Sequence, residues 1–176
     1  MKVWVVADTH FGHKNIIKYC NRPFANTEEM DDELVERWNN VVAKDDIVYH
    51  LGDFSMTHTK DRITELVHRL NGKIILIMGN HDTKPHQWFL DCGFYNTTKH
   101  PMIIDKNTIL MHEPPDPELI SPIYKYVFGH VHQNQCPADE YPNCACVSVE
   151  RTNYTPVELT SVQSSISFRM GKESHT

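Results

Sequence analysis

A chain of 176 residues, 40% hydrophobic and 23% charged, has ordinary globular usage and length enough to bury a core without disulfides, which excludes disordered and membrane-embedded classes. Its formal charge of -6 argues against a general nucleic-acid binder, because neutralising phosphates takes clustered Lys and Arg; only a short local patch is left open.

The chain opens on a five-residue apolar run, VWVVA, that ends at Asp8. It reads as a buried strand and is too short for a signal-peptide core or a membrane span. Five cysteines, odd in number and irregularly spaced, suit a reducing, cytoplasmic location. From Thr27 to Val42, Met30, Leu34, Trp38, Val41 and Val42 recur at helical spacing, with Glu28, Glu29, Asp31 and Asp32 in the first turns where the helix dipole favours them. DIVYHLGD is a strand running into a glycine turn. Residues 60–70 give a second amphipathic helix with Ile63, Leu66, Val67 and Leu70 on one face, closed by Asn71 and Gly72. KIILIM is a third strand, and apolar runs near 101–104, 108–111 and 126–128 add more. The proline-rich EPPDPELISP, residues 113–122, is a surface loop, and the polar stretch 161–176 is expected to fray. Helices separated by strands predict one layered α/β domain over residues 1–176.

Strand after strand ends in a metal-type ligand: Asp8 and His10 in DTH, Asp53 in GD, Asn80 in GNHD, His112, then His130 and His132 in GHVH. In layered α/β folds ligands gather beyond the carboxyl ends of strands, so termini distant in sequence can converge. Extended backbone points residues i and i+2 the same way, which would let Asp8 with His10, and His130 with His132, address one cavity. Gly52, Gly79 and Gly129 each precede a candidate ligand, where glycine permits sharp turns and close approach. Of the twelve histidines, His50, His58, His68, His86, His100 and His175 belong to no motif and read as surface or hydrogen-bonded residues.

The order D-x-H, G-D, G-N-H-[DE], H and G-H-x-H between Asp8 and His132 resembles the calcineurin-like metallophosphoesterase superfamily. The resemblance implies a four-layer αββα sandwich, two mixed sheets flanked by helices with metals at one edge. It implies one divalent cation on Asp8, His10, Asp53 and His132 and a second on Asp53, Asn80, His112 and His130, with Asp53 bridging. His81 carries over as the catalytic histidine and Asp82 as the carboxylate that orients it. The family often has glycine after the fourth-motif histidine; here Glu113 and two prolines follow His112, a departure that bears on the local loop. The mixed donor set suits Mn, Fe, Zn, Co or Ni over Ca or Mg, with manganese the expected ion in vitro. Two dications, two carboxylates and a bridging hydroxide leave about +1, attractive to phosphate. The implied reaction is in-line attack of that hydroxide on phosphorus, His81 assisting the leaving group.

Residues 11–24, FGHKNIIKYCNRPF, follow the first ligands directly and are expected to wall the site, with His13, Asn15 and Arg22 as substrate-binding residues, since Arg can hold phosphate bidentately. The competing reading is a helix packed by Ile16, Ile17 and Tyr19. This stretch also resembles a small bacterial and phage-encoded subgroup of the superfamily. The expected partner is a small phosphomonoester or phosphodiester, nucleotides included, with no membrane. Two other readings stand beside it: a metal-free scaffold, as in the retromer subunit that has this fold with a degraded site, and a nuclease on longer nucleic acid, against which net acidity and short length argue. Cys136, Cys144 and Cys146 lack the C-x-x-C pair of a zinc knuckle.

Overall fold

The computed structural model describes residues 1–57 and 59–173. The readings of His58 and His175 as surface histidines lie outside the described residues. In chain order the elements are β1 (Val3–Val6), α1 (Lys14–Tyr19), α2 (Thr27–Val41), β2 (Ile47–His50), α3 (Lys60–Arg69), β3 (Lys73–Ile77), α4 (His86–Asp91) and β4 (Asn96–Thr98). Then come β5 (Met102–Ile104), β6 (Thr108–Leu110), β7 (Lys125–Phe128), β8 (Cys144–Cys146), β9 (Val157–Glu158) and α5 (Leu159–Glu173).

Two mixed sheets form, ordered β4-β3-β2-β1-β9 and β5-β6-β7-β8. The first is parallel except for β9, which runs antiparallel to β1; the second is parallel except for β5. Strands of the first sheet are apolar on both faces because both faces are covered. Val5, Ala7, Leu51 and Ile77 share the inter-sheet core with Leu110, Val127 and Val147 of the second sheet. The alternate residues Trp4, Val6, Val48, Ile74 and Leu76 pack with Met30, Leu34 and Trp38 of α2 and Ile63 and Leu66 of α3. This is the period-2 alternation that a pleated strand imposes. On the far side of the second sheet, Tyr126, Phe128 and Cys144 pack under Ile120, Cys136 and Tyr141 from the long connections. Those connections carry the short 3-10 turns Pro117–Leu119 and Pro137–Glu140.

α2 begins where Asn26 caps it, its side-chain oxygen accepting the Glu29 amide at 2.9 Å, while Glu29 accepts the Ala25 amide at 2.9 Å. This reciprocal pair satisfies amides that a helix start leaves open. The polar stretch expected to fray over residues 161–176 is helical as far as Glu173, the end of α5, and residues 174–176 lie outside the described residues. The apolar stripe of α5 is narrow, Leu159, Val162 and Ile166, but all three enter the inter-sheet core. Gln163 fixes the helix by donating to Asp105 at 2.7 Å and Thr108 at 2.9 Å. Among the described residues no helix is long and apolar enough to cross a membrane.

Beyond β1 the two sheets are stitched together. Ala7 and Ser148 form a parallel bridge, the Ala7 amide donating to Val147 and the Val149 amide to Ala7, each at 3.1 Å. Residues 148–150 are thereby held beside the end of β1.

His50, at the end of β2, is fully buried. Its Nε2 lies 2.9 Å from Thr9 Oγ1, and its ring sits between Trp38 and Phe54. Burial, helped by the charge of His112, lowers its pKa from 6.5 to about 3. The unfolded chain takes up this proton below 6.5 and the folded chain refuses it, so stability falls as pH drops through that range, by at most about 1.4 kcal/mol per pH unit. Thermal melts of the metal-free protein and of His50→Gln between pH 6.5 and 5 are expected to show a shallower decline in the variant; parallel declines would contradict this assignment.

Candidate metal centre

The motif residues lie in the turns after β1, β2, β3, β6 and β7, at one end of both sheets. The backbone there is not extended: φ is 60° at Asp8, 51° at His10, 57° at Asp53, 71° at His130 and 54° at His132. Alternate left-handed residues therefore bring Asp8 and His10 together and send His130 and His132 to neighbouring donor clusters, correcting the extended reading. Each such residue carries a steric cost of about 1–2 kcal/mol, and neighbouring turns hold them in place. The Asp8 amide donates to Gly52 and the His10 amide to Asp53, both at 3.0 Å. Close approach fixes the glycines: a Cβ at Gly52 would collide with the His112 ring, and one at Gly79 with the Asp53 carboxylate.

Two clusters of donor atoms result: Asp8, His10 and His132, and Asp53, His112 and His130. In the first, Asp8 Oδ1 and both ring nitrogens of His10 are buried with no hydrogen-bond partner. Buried polar atoms are rarely left so, and converging lone pairs fit a cation. In the second, His112 Nδ1 donates to the Leu51 carbonyl at 2.8 Å, which leaves a lone pair on Nε2. That atom faces the amide oxygen of Asn80 at 3.0 Å, and His130 Nδ1 stands 3.1 Å from each. Donors in neighbouring positions around an octahedral ion, bound at about 2.1 Å, stand about 3.0 Å apart. The residues fit divalent cations, with imidazole, carboxylate and amide donors in the proportions expected of a first-row transition metal.

The electrostatics match. Burial pushes Asp8 up to about 7, against the pull of His132 and a Ser148 hydrogen bond, and burial lowers His10, with His132 and Arg22 adding to it. His132 is the reverse: burial opposes its charge, yet hydrogen bonds to Cys20 and Glu150 and the charge of Asp8 raise it to about 10. Surroundings that stabilise a proton on this ring would equally stabilise a cation at its Nε2.

Arg22 was expected at the substrate and is not there. Its side chain has no exposure, and it donates to Glu150 Oε1 through Nε at 2.9 Å and Nη2 at 2.7 Å, to the Asp8 carbonyl at 2.7 Å and to the Thr9 carbonyl at 2.8 Å. The same Glu150 oxygen receives His132 Nδ1 at 3.0 Å. Arg22 and Glu150 thus clamp the turn after β1 to the His132 ring and fix its tautomer, the usual support of a ligating histidine. Cys20, His132 and Glu150 also bring donor atoms together; Arg22 and His132 share Glu150 Oε1, and Oε2 is buried without a hydrogen-bond partner. Ser148 adds a 2.6 Å hydrogen bond to Asp8 Oδ2, which also accepts the His130 amide at 2.8 Å. Sequence reasoning missed Glu150 and Ser148; the only signal was the alternation in VSVE, residues 147–150.

Asp82 does not orient His81. Its oxygens accept the amides of Asp53 at 2.7 Å, Phe54 at 3.2 Å and Gly79 at 2.9 Å, because the left-handed turn at Asp53 aims successive amides at it. His81 Nε2 instead lies 4.0 Å from Asp53 Oδ2, with the side chain 43% exposed. His13 reaches the centre, its ring 5.4 Å from that of His10. Asn15 is exposed on α1, whose Ile16 and Ile17 pack into the core while Tyr19 stays exposed. The packed-helix reading of residues 11–24 holds for Ile16 and Ile17 and not for Tyr19.

The model of the calcineurin-like phosphoesterase superfamily domain matches residues 1–149. The chain belongs to this superfamily. An uncharacterized protein of Methanocaldococcus jannaschii is 41% identical over 165 residues, covering 90% of this chain and 87% of its own length. The gene 66 protein of Mycobacterium phage L5 is 41% identical over 85 residues, 47% of this chain and 40% of the phage protein. This agrees with a small phage-type member. Among solved structures, a protein of unknown function from Aquifex aeolicus superposes with a TM-score of 0.74 at 25% identity, over 93% of this chain and 98% of that one.

For this superfamily chain, Glu150→Ala is expected to weaken binding of one divalent ion by about 10–100-fold while sparing the other, with Glu150→Gln closer to wild type. Titration calorimetry with manganese would read both affinities, and two unchanged affinities would contradict the clamp.

Proposed function

We propose that the chain is a dinuclear metal-dependent phosphoesterase that hydrolyses small phosphomonoesters or phosphodiesters in the cytoplasm. The observation that carries this reading is the position of Asp53. Its Oδ2 stands 3.6 Å from His10 Nε2 in one cluster and 3.6 Å from His112 Nε2 in the other, while Oδ1 accepts the His81 amide at 2.9 Å. One carboxylate oxygen facing both clusters supports a bridging role. The donor set favours manganese or a neighbouring transition ion.

Two divalent cations held there would supply an activated water and offset charge on the phosphate oxygens. The chain's own residues do the rest. Asp8, His10 and His132 on one side, and Asn80, His112 and His130 on the other, fix the positions at which phosphate oxygens would be bound. His81 and His13 flank His10, with ring centroids 5.5 and 5.4 Å away, so a phosphate lying over His10 would meet both. His81 is the more suitable proton donor to a leaving-group oxygen, since its ring is open to solvent and no side chain fixes its proton elsewhere. His13, part-buried, serves better as a hydrogen-bond donor to a phosphate oxygen. The intact donor clusters favour an enzyme over a scaffold.

Turnover of p-nitrophenyl phosphate and its bis-ester by manganese-loaded protein tests this reading. His81→Ala is expected to lower kcat by about 10²–10⁴-fold, and Asp53→Ala to abolish turnover together with bound metal. Absence of turnover with both ions bound, or activity that survives loss of Asp53, would refute it.

A further inference from the structure

The wall formed by residues 11–24 is one side of the centre; the opposite side carries a cavity that no step above uses. It has a volume of about 550 Å³ and shares Asn80 and His112 with the second donor cluster. It lies where the end of β3, the link from β4 to β5 and the end of β6 meet, between the edges of the two sheets. Met78, Pro101 and Met111 supply apolar wall, and Lys99 and Glu113 bring one charge of each sign. Lys99 and Glu113 are both exposed, so neither is consumed by the core. The prolines that follow Glu113 restrict its backbone, and Pro115 is itself buried.

A phosphate group on its own would fill a small part of this space, which falls within the range of small-molecule sites: mostly apolar with a few placed polar groups. Methionine thioethers are polarizable and favour aromatic rings, adapting to their outline. Lys99 offers donors and Glu113 acceptors, and beside the methionine wall these suit a flat ring with acceptors and donors along its edge.

We propose that this cavity receives a planar heteroaromatic ring, of nucleobase size, carried by the ester whose phosphate lies at the metal centre. The inference rests on the phosphoesterase reading for the phosphate, but the cavity itself is formed by the protein alone. Esters bearing such a ring are therefore preferred over aliphatic ones, and Met111, Lys99 and Glu113 set that preference.

Two measurements separate the cavity from the chemistry. First, adenosine, which has no phosphate, is titrated into metal-free protein by calorimetry or protein NMR. Binding is expected, weakened about tenfold or more by Met111→Arg, which fills the cavity, and by Glu113→Ala, which leaves its volume open. Melting curves check that each variant is folded. Second, with manganese-loaded protein, adenosine 5′-monophosphate is expected to show a KM about tenfold or more below that of ribose 5-phosphate. No adenosine binding together with equal KM values would overturn the proposal, as would binding indifferent to both substitutions. If neither ester is turned over with both ions bound, the phosphoesterase reading fails, while the adenosine titration still decides the cavity.

Discussion

A buried carboxylate, Asp82, holds the turn after β2 against the turn after β3. It accepts the amides of Asp53, Phe54 and Gly79, and hydrogen bonds to a charged acceptor contribute about 1.5–3 kcal/mol each. Burial, with the charge of Asp53 adding to it, nevertheless raises its pKa to about 7 even though those amides pull the other way, so the latch acts against a desolvation cost. What it secures is the left-handed conformation at Asp53, and hence the direction in which that carboxylate points. Together with the His81 amide, which Asp53 Oδ1 accepts at 2.9 Å, this constraint positions the oxygen that faces both donor clusters.

A buried ion pair does the same for the other half of the centre. Arg22 joins Glu150 across the chain and binds the carbonyls of Asp8 and Thr9. The Ala7–Ser148 bridge between the sheets brings those partners within reach. Buried charge pairs are poor sources of net stability but strong determinants of geometry once in place, because removing one partner strands the other. The fold thus commits two buried latches, Asp82 and Arg22–Glu150, to holding the turns that carry the donor clusters. In the proposed reaction, substrate contact would fall to His81, His13 and the cavity walls.

Much of this was legible in the sequence. The apolar alternation of VWVVA and KIILI, and the helical spacing of Met30, Leu34 and Trp38, follow from burial patterns that a linear reading can detect. So does the gathering of Asp8, His10, Asp53, Asn80, His112, His130 and His132, since each follows a strand. What escaped depends on distant partners. Arg22 has the chemistry of a phosphate binder, and only Glu150, 128 residues away, makes it a clamp. Asp82 adjoins His81 in sequence, yet the amides it binds come from other turns. The left-handed residues of the centre are Asp and His, which tolerate that conformation better than most side chains, yet this tendency is too weak for a linear reading to fix the turns. In α5 a serine-rich surface hid a stripe of three core residues.

The central claim is that Asp53 bridges two cations held by these clusters. Anomalous diffraction from crystals grown with manganese tests it most directly. The account requires two peaks, each about 2.0–2.2 Å from an Asp53 carboxylate oxygen, with Asp8, His10 and His132 on one and Asn80, His112 and His130 on the other. One peak alone at full manganese saturation, or two peaks that do not share Asp53, would contradict it.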